Sequence, residues 1–234
     1  MSKLPEVDLP TELLRLKARG WIPSSRKGDT GIGKTIEDCL GIPENNQGEP
    51  DCIYRGLPVE IKGRRLDTKS MITLFTLEPG VRHLKDVDLI RKYGYANRGG
   101  RPALKITLTP VNFTPQGLKL EIDEKGGSIA IVDRNGYKPW VWTTEDIHLK
   151  LQNLCIITAR TKKDGPEYFA IDSATLAIGL DTTCFFGLVS KGKVRIDLRM
   201  HLKPSGVARN HGTAFRLLDY NSLLSCFRQV ERLL

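Results

Sequence analysis

Three charged residues in the first third of the chain have the types and spacing of a phosphodiesterase centre. Glu60 and Lys62 are two positions apart in an extended run, so their side chains point to one face of the predicted strand. Asp51 precedes the neighbouring strand and can reach the same face across a hairpin. Two carboxylates can bind Mg²⁺ through oxygen, and a lysine can orient or deprotonate a water and offset negative charge in the transition state. The pattern D…E-x-K is therefore the minimum machinery for phosphodiester hydrolysis.

Glu37 is a fourth candidate for this centre, because it lies on a short predicted helix after a glycine-rich segment. It could bind the metal or position Lys62. A plainer interpretation is also open, since D…E-x-K is a common pattern. In that interpretation Glu60 and Lys62 form a salt bridge on an exposed strand, and Asp51 is a turn residue after Pro50.

The segment Gly28–Thr35 satisfies the P-loop pattern G-x-x-x-x-G-K-[ST]. A working P-loop leaves a buried strand and enters a helix, so that backbone N–H groups converge on the phosphates. The preceding residues, 18–27, include Pro23, serines and basic residues, and do not make such a strand. The context favours an exposed loop, and a nucleotide hydrolase that depends on Lys34 is the weaker alternative.

The elements that must position these residues mix helices and strands. Strands are predicted at 52–54, 57–62 and 70–77, and these three can pair as a small antiparallel sheet. Further helices are predicted at 11–19, 35–40, 83–93, 144–152, 172–178 and 221–234, and further strands at 104–109, 117–122, 128–133, 137–142, 154–159, 166–171, 193–200 and 213–218. The predicted fold class is α/β, as a mixed α+β arrangement with hairpins and crossovers.

The composition is that of a folded globular protein with a basic surface. The chain has 234 residues, 40% apolar and 27% charged, with a net charge of +9, which excludes hormone-like, disordered and fibrous classes and favours a polyanionic partner. No apolar run approaches the ~20 residues of a membrane helix, and residues 1–10 lack an apolar signal core. We therefore expect a soluble cytoplasmic protein.

The cysteines predict neither a disulfide framework nor a zinc cluster. They number five and show no C-x-x-C spacing. We expect all of them to be reduced and most to be buried: Cys39, Cys52, Cys155, Cys184 and Cys226.

Several ordered segments carry a resemblance to a known family. They are GDTGIGKTIED at 28–38, EPD at 49–51, VEIK at 59–62, SMITLFT at 70–76, VRIDLR at 194–199, HGTAFR at 211–216 and VERLL at 230–234. The chain resembles the MvaI/BcnI family of restriction endonucleases, which are relatives of the mismatch-repair nicking enzyme MutH within the PD-(D/E)XK nuclease superfamily. The likeness extends to both ends of the chain and is far more specific than D…E-x-K alone.

The resemblance implies a PD-(D/E)XK core with a mixed sheet and two lobes around a DNA-binding cleft. Residues 1–95 would form most of a catalytic lobe, with contributions from later segments, and 96–234 most of a DNA-recognition lobe. The implied enzyme is a monomer that cuts double-stranded DNA with Mg²⁺ and has a companion DNA methyltransferase for the same site, which it does not bind. The active site would comprise Glu37, Asp51, Glu60 and Lys62, with Asp51 and Glu60 as metal ligands, and Lys34 would lie at the DNA backbone.

The later matching segments imply residues that read bases. Asp197 and Arg199 alternate on a predicted strand and Arg216 lies on a nearby one. Arginine suits the O6/N7 edge of guanine and aspartate the amino group of cytosine, so this trio could read C·G pairs. The alternative is that Asp197 and Arg199 only pair with each other. His211 is a further candidate for a base or phosphate contact, and Thr73 is also assigned to the DNA.

Family targets are short CC-N-GG-like sites. Members that accept a central G·C pair have histidine where this chain has Thr76 and Ala214. The likeness therefore favours an A/T-centred site, CCWGG.

Other residues have weaker assignments. Seven basic residues in loops or at strand ends are suited to phosphate contacts or to a solvated surface: Arg64, Arg65, Lys69, Arg98, Arg101, Lys203 and Arg209. Trp140 and Trp142 share one side of a predicted strand and are expected in the core or at a lobe interface rather than stacked on bases.

Two functional alternatives remain beside the restriction enzyme. One is a MutH-like nickase that cuts one strand and needs repair partners. The other is a DNA-binding module that has lost cleavage, although the four acidic and lysine positions favour an active enzyme.

Overall fold

The computed structural model describes residues 4–28, 30–44, 49–66, 68 and 70–234. In chain order the elements are α1 (Leu9–Ala18), β1 (Ile22–Pro23), α2 (Gly31–Cys39), β2 (Cys52–Tyr54), β3 (Leu57–Arg65), β4 (Ile72–Thr76), β5 (Val81–Arg82), α3 (Asp86–Tyr93), β6 (Tyr95–Ala96), β7 (Pro102–Leu108), β8 (Leu118–Asp123), β9 (Ser128–Asp133), β10 (Trp140–Thr143), α4 (Thr144–Lys150), β11 (Asn153–Lys163), β12 (Glu167–Leu180), α5 (Thr182–Ser190), β13 (Val194–Leu202), β14 (Ala208–Asn210), β15 (Ala214–Leu217), α6 (Tyr220–Leu224) and β16 (Phe227–Arg232). The predicted mixed α and β class is confirmed. No helix in the described part of the chain is long and apolar enough to cross a membrane.

The chain divides into two compact units. Unit 1 comprises Met1–Ser70, Lys150–Leu180 and Phe227–Leu234, and unit 2 comprises Met71–Leu149 and Asp181–Cys226. The chain therefore leaves unit 1 and returns to it twice.

Unit 1 is built on a six-stranded sheet. The strand order is β1-β12-β11-β3-β2, and β16 also pairs with β12. β3 pairs antiparallel with β2 and parallel with β11, so both of its edges are hydrogen-bonded. Helix α1 buries Leu9, Leu13 and Leu16, whose spacing forms one apolar stripe, in the same core as Val59 and Ile61 of β3.

Unit 2 contains two sheets. One has four strands in the order β5-β10-β9-β8, and the other has six, in the order β4-β15-β13-β7-β6 with β14 on β13. Trp140 and Trp142 of β10 are fully buried and pack edge to face, and Trp142 packs edge to face on Phe215 of β15. Their indole N–H groups donate to the carbonyls of Leu84 and Leu77. Both tryptophans are therefore core residues.

The predicted pairing of the third strand with the first two is wrong. The strand exists as β4, but it pairs with β15 in unit 2, whereas β3 takes β11 as its second neighbour. The chain passes from unit 1 to unit 2 between Ser70 and Met71. The strand that comes next in the sequence is therefore not the neighbour of β3 in the sheet.

Two predicted helices in the last third are also wrong. Residues 172–178 belong to the long strand β12, which is paired with β11 on one edge and β16 on the other. Residues 221–234 form only the short helix α6 followed by β16. Strand pairing here overrides the local helix preference of alanine and leucine.

The prediction that all cysteines are reduced is wrong for one pair. Cys184, in the first turn of α5, and Cys226, just before β16, form a disulfide. The fold brings two cysteines 42 positions apart within bonding distance, which spacing along the sequence does not reveal. Cys52 and Cys155 are buried free thiols, as expected, and Cys39 is a partly buried one.

Candidate functional site

Two hydrogen bonds to the backbone of β3 hold Asp51 in place. Its backbone N–H donates to the carbonyl of Val59 at 3.1 Å, and its Oδ2 accepts the backbone N–H of Ile61 at 2.6 Å. The tight turn between β2 and β3 provides this register, because Arg55 and Gly56 both have positive φ, as a two-residue hairpin turn requires. Asp51 is therefore pinned beside the strand that carries the other candidates.

Glu60 and Lys62 meet on one face of β3, as their spacing predicts. Lys62 Nζ donates to Glu60 Oε1 at 2.6 Å. Glu60 is 8% exposed, so this is not the exposed salt bridge of the plainer interpretation. The backbone of β3 here is paired with Leu154 and Ile156 of β11, which holds both residues in an interior strand.

Helix α2 brings Glu37 to the same centre by packing directly on β3. At the contact a Cβ on Gly63 would lie 2.9 Å from Ile36 Cδ1 and 3.3 Å from the Cα of Gly33. A side chain at position 63 would require Ile36, Ile32 and the backbone of Gly33 to shift. The charges of Asp51 and Lys62 both act on Glu37, so the four predicted active-site residues form one electrostatic cluster.

Burial and mutual repulsion raise the pKa values of two carboxyl groups in this cluster, those of Asp51 and Glu37. Burial raises the pKa of the Asp51 carboxyl, and the charge of Glu60 raises it further against the opposing effect of Lys62. Burial raises the pKa of Glu37 as well, and Asp51 adds to that shift. Burial lowers the pKa of Lys62, but the neighbouring carboxylates outweigh it and the net pKa is above the ordinary value.

The donor set of the cluster fits a hard divalent cation. Within the described residues no group of three or more His, Cys, Asp or Glu side chains is arranged to hold a metal. Mg²⁺, however, is commonly held by one or two carboxylates and keeps several waters. Asp51 and Glu60 are two carboxylates close enough that the charge of Glu60 raises the pKa of Asp51. A bound cation would offset the repulsion between them.

Lys34 is occupied by ion pairs on the surface of α2. Its Nζ lies 2.7 Å from Asp38 Oδ1 and 3.8 Å from Glu44 Oε2.

The elements before α2 do not have the order of a P-loop. The helix begins at Gly31, and the strand before it is the two-residue edge strand β1. Asp29 of the motif lies outside the described residues. The buried strand that a P-loop requires is absent from the described segment that precedes α2.

Two of the predicted recognition residues, Asp197 and Arg199, lie on one face of β13 in unit 2, and Arg216 lies on the neighbouring strand β15. Asp197 Oδ2 accepts from Arg216 Nη1 at 2.9 Å, and its Oδ1 accepts from Thr107 Oγ1 at 2.7 Å. Asp197 is 7% exposed. The predicted alternative, in which Asp197 pairs with Arg199, is therefore wrong, because Arg216 is its ionic partner.

Arg199 is held by backbone carbonyls. Its Nε donates to Gly212 O at 3.2 Å and its Nη2 to His211 O at 3.0 Å, while the N–H of His211 donates to the carbonyl of Arg199 at 3.0 Å. The loop that follows β14 thus fixes one edge of the guanidinium.

Thr73 lies opposite Arg216 in the register of β4 and β15, and Thr76 lies opposite Ala214. A second bond from Arg216, from Nη2 to the carbonyl of Met71 at 3.3 Å, ties its guanidinium to the residue before β4. Thr73 and Arg216 are thus neighbours on the strands that carry the predicted reading residues.

Sequence reasoning missed two residues of this face. Arg195 and His201 alternate with Asp197 and Arg199 along β13, and Arg195 is paired in register with Arg216. The period of two along the strand was the signal that could have revealed them. His201 stacks on His211 with 5.6 Å between ring centroids.

The histidine pair lies in a cationic environment. Burial lowers the pKa of both imidazoles, and nearby cations lower it further. For His201 these cations are Lys105, Arg209, Arg101 and Lys203, and for His211 they include Arg209, Lys105 and Arg199.

The other basic candidates belong to both units, and three of them, Arg101, Lys203 and Arg209, act on the pKa of His201. Arg65 pairs with Glu167 at 3.0 Å, and Arg64 is partly buried on the same strand. Lys69 lies outside the described residues. The remaining four are exposed: Arg98, Arg101, Lys203 and Arg209.

Comparison with known proteins places the chain in a class. The family described as the MvaI/BcnI restriction endonuclease family matches residues 11–225. The chain is thus a site-specific deoxyribonuclease of the type II restriction kind. It belongs to the MvaI/BcnI restriction endonuclease family.

Solved structures agree with this membership. The chain is similar to restriction endonuclease MvaI in a complex with its cognate DNA substrate, with a TM-score of 0.80 and 26% identity over 97% of each chain. It shares the fold of MvaI in the absence of DNA, with a TM-score of 0.56 and 22% identity over 97% of this chain and 96% of the other. No curated protein sequence matches the chain.

Proposed function

We propose that this enzyme hydrolyses phosphodiester bonds of double-stranded DNA with Mg²⁺ at a short CC-N-GG-like site, with CCWGG preferred. The observation that carries the proposal is the pair of buried Glu60 and partly buried Lys62 on β3, with Asp51 pinned beside the same strand. The similarity to an MvaI complex with cognate DNA supports double-stranded DNA as the substrate.

In this proposal Asp51 and Glu60 would hold the metal, which would supply positive charge at the scissile phosphate when bound. Lys62 Nζ, already oriented by Glu60 at 2.6 Å, orients the attacking water and offsets charge that develops in the transition state. Glu37 lies within the electrostatic reach of Lys62 and supports its position. The raised pKa of Lys62 keeps it cationic at neutral pH, and the negative charge of the phosphate would favour the same charged form.

Unit 1 would carry out cleavage and unit 2 would read the sequence, because the two sets of candidate residues separate in this way. Arg199 and Arg216 would donate to guanines in the major groove. Asp197 already accepts two bonds, yet a carboxylate has about four acceptor sites, so it can still accept from a cytosine amino group. Thr73 and His211 would contact the DNA around these bases, and Lys34 of unit 1 would lie at the DNA backbone. We further propose that the enzyme acts as a monomer and that a companion methyltransferase modifies its site.

The test is incubation of the purified protein with a plasmid of known sequence in Mg²⁺, with EDTA as the control, followed by sequencing of the fragment ends. We expect discrete fragments that share a CCWGG-like site and that are absent in EDTA. Relaxed circles without linear product would indicate a nickase. Tight binding without any cut would contradict the proposed active site.

A sharper control uses matched variants of two carboxylates in unit 1. Asp51→Asn removes a proposed metal ligand and should abolish cutting, whereas Glu12→Gln changes a surface carboxylate paired with Arg15 and should not affect it. Equal activity of the two variants would refute the role of Asp51.

A further inference from the structure

Glu78, which follows β4, accepts hydrogen bonds from both ends of the loop 210–213. Its Oε1 accepts the N–H of Thr213 at 3.0 Å and the Oγ1 hydroxyl of the same residue at 3.3 Å. Its Oε2 accepts Nη2 of Arg82 at 2.8 Å and Nδ2 of Asn210 at 3.1 Å. A single carboxylate thus joins the first and last residues of the loop.

The loop between these residues is held in one conformation. Gly212 has a φ of +84° and donates its N–H to Asn210 Oδ1 at 2.9 Å. Thr213 is fully buried, and its carbonyl accepts the N–H of Leu77 at 2.9 Å. Because a buried N–H without an acceptor is costly, the Thr213 N–H needs the Glu78 carboxylate.

The same loop fixes the guanidinium of Arg199. The carbonyls of His211 and Gly212 accept from Nη2 and Nε, so the direction of the arginine follows the path of the loop backbone. A reading arginine must be held closely in place, because base discrimination depends on the geometry of a bidentate contact.

We propose that Glu78 is a positioning residue for sequence recognition, which sets the orientation of Arg199 through the loop 210–213. The inference rests on the proposed reading role of Arg199. The ion pair with Arg82 is not a sufficient role for Glu78. Both side chains of that pair are 37% exposed, and exposed ion pairs contribute little to stability.

The first test measures the arginine itself and needs no DNA. In the native protein the Nε–H of Arg199 should give a protected NMR resonance because it donates to Gly212 O. In Glu78→Ala we expect this resonance to lose its protection, whereas in the control Glu121→Ala it should be unchanged. Glu121 is a matched control, since it pairs with Lys138 on the surface of unit 2. An unaltered resonance in Glu78→Ala would overturn the proposal.

The second test is a double-mutant cycle on DNA binding without Mg²⁺. The probes are a duplex that carries the cleavage site mapped from the plasmid ends and a random duplex of equal length. Glu78→Ala should reduce the preference for the site by about tenfold and leave random binding unchanged. In an Arg199→Ala background the same change should alter the preference by no more than about twofold.

The outcomes separate this proposal from the function on which it rests. An equal effect of Glu78→Ala in both backgrounds would overturn the positioning role. If Arg199→Ala itself leaves the preference intact, the reading role of Arg199 fails, whatever the resonance shows. If Glu78→Ala does not fold, Glu78→Gln replaces it in the first test. Glutamine keeps one oxygen that can accept from Thr213, but its amide NH₂ group cannot accept from Asn210. We then expect the Nε–H of Arg199 to lose part of its protection.

Discussion

At the scale of single residues, the active cluster holds more negative than positive charge. Three carboxylates act on the single ammonium of Lys62, and the pKa values of Asp51 and Glu37 are raised. An acid with a raised pKa is ionised at neutral pH at a cost to the folded state. Without metal, ionised Asp51 and Glu37 each oppose folding at neutral pH, whereas the charged Lys62, whose pKa is raised, favours it.

We expect Asp51→Asn to raise the melting temperature in EDTA at pH 7. Ionised Asp51 opposes folding above its raised pKa, and asparagine removes that charge while its oxygen can still accept from Ile61. A rise of about 2–4 °C per 1 kcal/mol is the scale for a chain of this size. The advantage should shrink as the pH falls through the raised pKa, because Asp51 then becomes neutral. Calorimetry at pH 4 and pH 7 measures both effects.

Addition of Mg²⁺ supplies the control for this prediction. A ligand that binds only the folded state stabilises it, so the wild type should gain stability and the variant should not. A lower melting temperature of Asp51→Asn in EDTA would contradict the assigned electrostatics.

The stacked histidines predict a pH dependence of DNA affinity. Their lowered pKa keeps both imidazoles neutral at pH 7, and an approaching phosphate would raise that pKa and cause proton uptake. Affinity should therefore increase as the pH falls from 8 to 6, by up to about tenfold per pH unit for each proton taken up. Titration of a random duplex at constant salt measures it.

The matching control is the double variant His201→Asn and His211→Asn, in which the pH dependence should flatten. An equally steep dependence in that variant would assign the proton to other groups.

The proximity of the candidate cleavage residues on β3 and beside it could be predicted because their geometry is local. Glu60 and Lys62 are two apart on one strand, and a short hairpin connects them to Asp51. The contacts of Arg199 could not be predicted, because they go to the backbone of a loop. Sequence patterns specify which side chains share a face, but not which carbonyls a loop presents.

At the scale of elements, the contact between α2 and β3 determines where Glu37 lies. Gly63 leaves no room for a side chain against Ile36 and Gly33. Because Gly63 has no side chain, α2 packs directly on β3. The distance of Glu37 from Asp51 and Lys62 depends on this close packing.

Gly63→Ala should push α2 away from β3. The added methyl would meet Ile36 and Ile32 at 2.9 and 3.1 Å, and such overpacking costs about 1–3 kcal/mol. We expect a lower melting temperature and a slower cleavage step, with little change in affinity for the cognate site, whose predicted readers are in unit 2. Single-turnover rates and binding titrations separate the two effects.

Gly187→Ala is the control, since that position in α5 has no atoms within 4 Å of an added Cβ. It should leave cleavage unchanged. Loss of affinity equal to the loss of rate in Gly63→Ala would show that the substitution acts through the proposed contact of Lys34 with DNA and not through Glu37.

Elements with a strong local pattern were predicted and those defined by distant partners were not. The hairpin β2–β3 and the helix α1 follow from turn residues and an apolar stripe. Residues 172–178 were predicted as a helix because the segment is rich in alanine and leucine, yet they form a strand between β11 and β16. Nothing within the segment itself indicates those two neighbours.

At the scale of the whole molecule, the disulfide is the one covalent link between distant segments in the described chain. Cys184 and Cys226 close a loop of 42 positions, all within unit 2. In the chain-entropy model, a loop of this length corresponds to roughly 4 kcal/mol of stabilisation.

The double variant Cys184→Ser and Cys226→Ser should therefore lower the free energy of unfolding, by about 2–4 kcal/mol. Denaturant titration of wild type and variant, each with and without dithiothreitol, measures it. Dithiothreitol should lower the stability of the wild type towards that of the variant. A variant as stable as oxidised wild type would show that the bond contributes nothing.

The order of segments in unit 1 has a consequence for biosynthesis. β3 carries Glu60 and Lys62, but its parallel neighbour β11 follows only after residues 71–149 of unit 2. A nascent chain on the ribosome has no strand to cover that edge of β3 until residues 153–163 emerge from the exit tunnel. Fragments from interrupted translation that stop before this point lack the strand that pairs with β3 at Glu60 and Lys62, so we expect nuclease activity only after most of the polypeptide has been made.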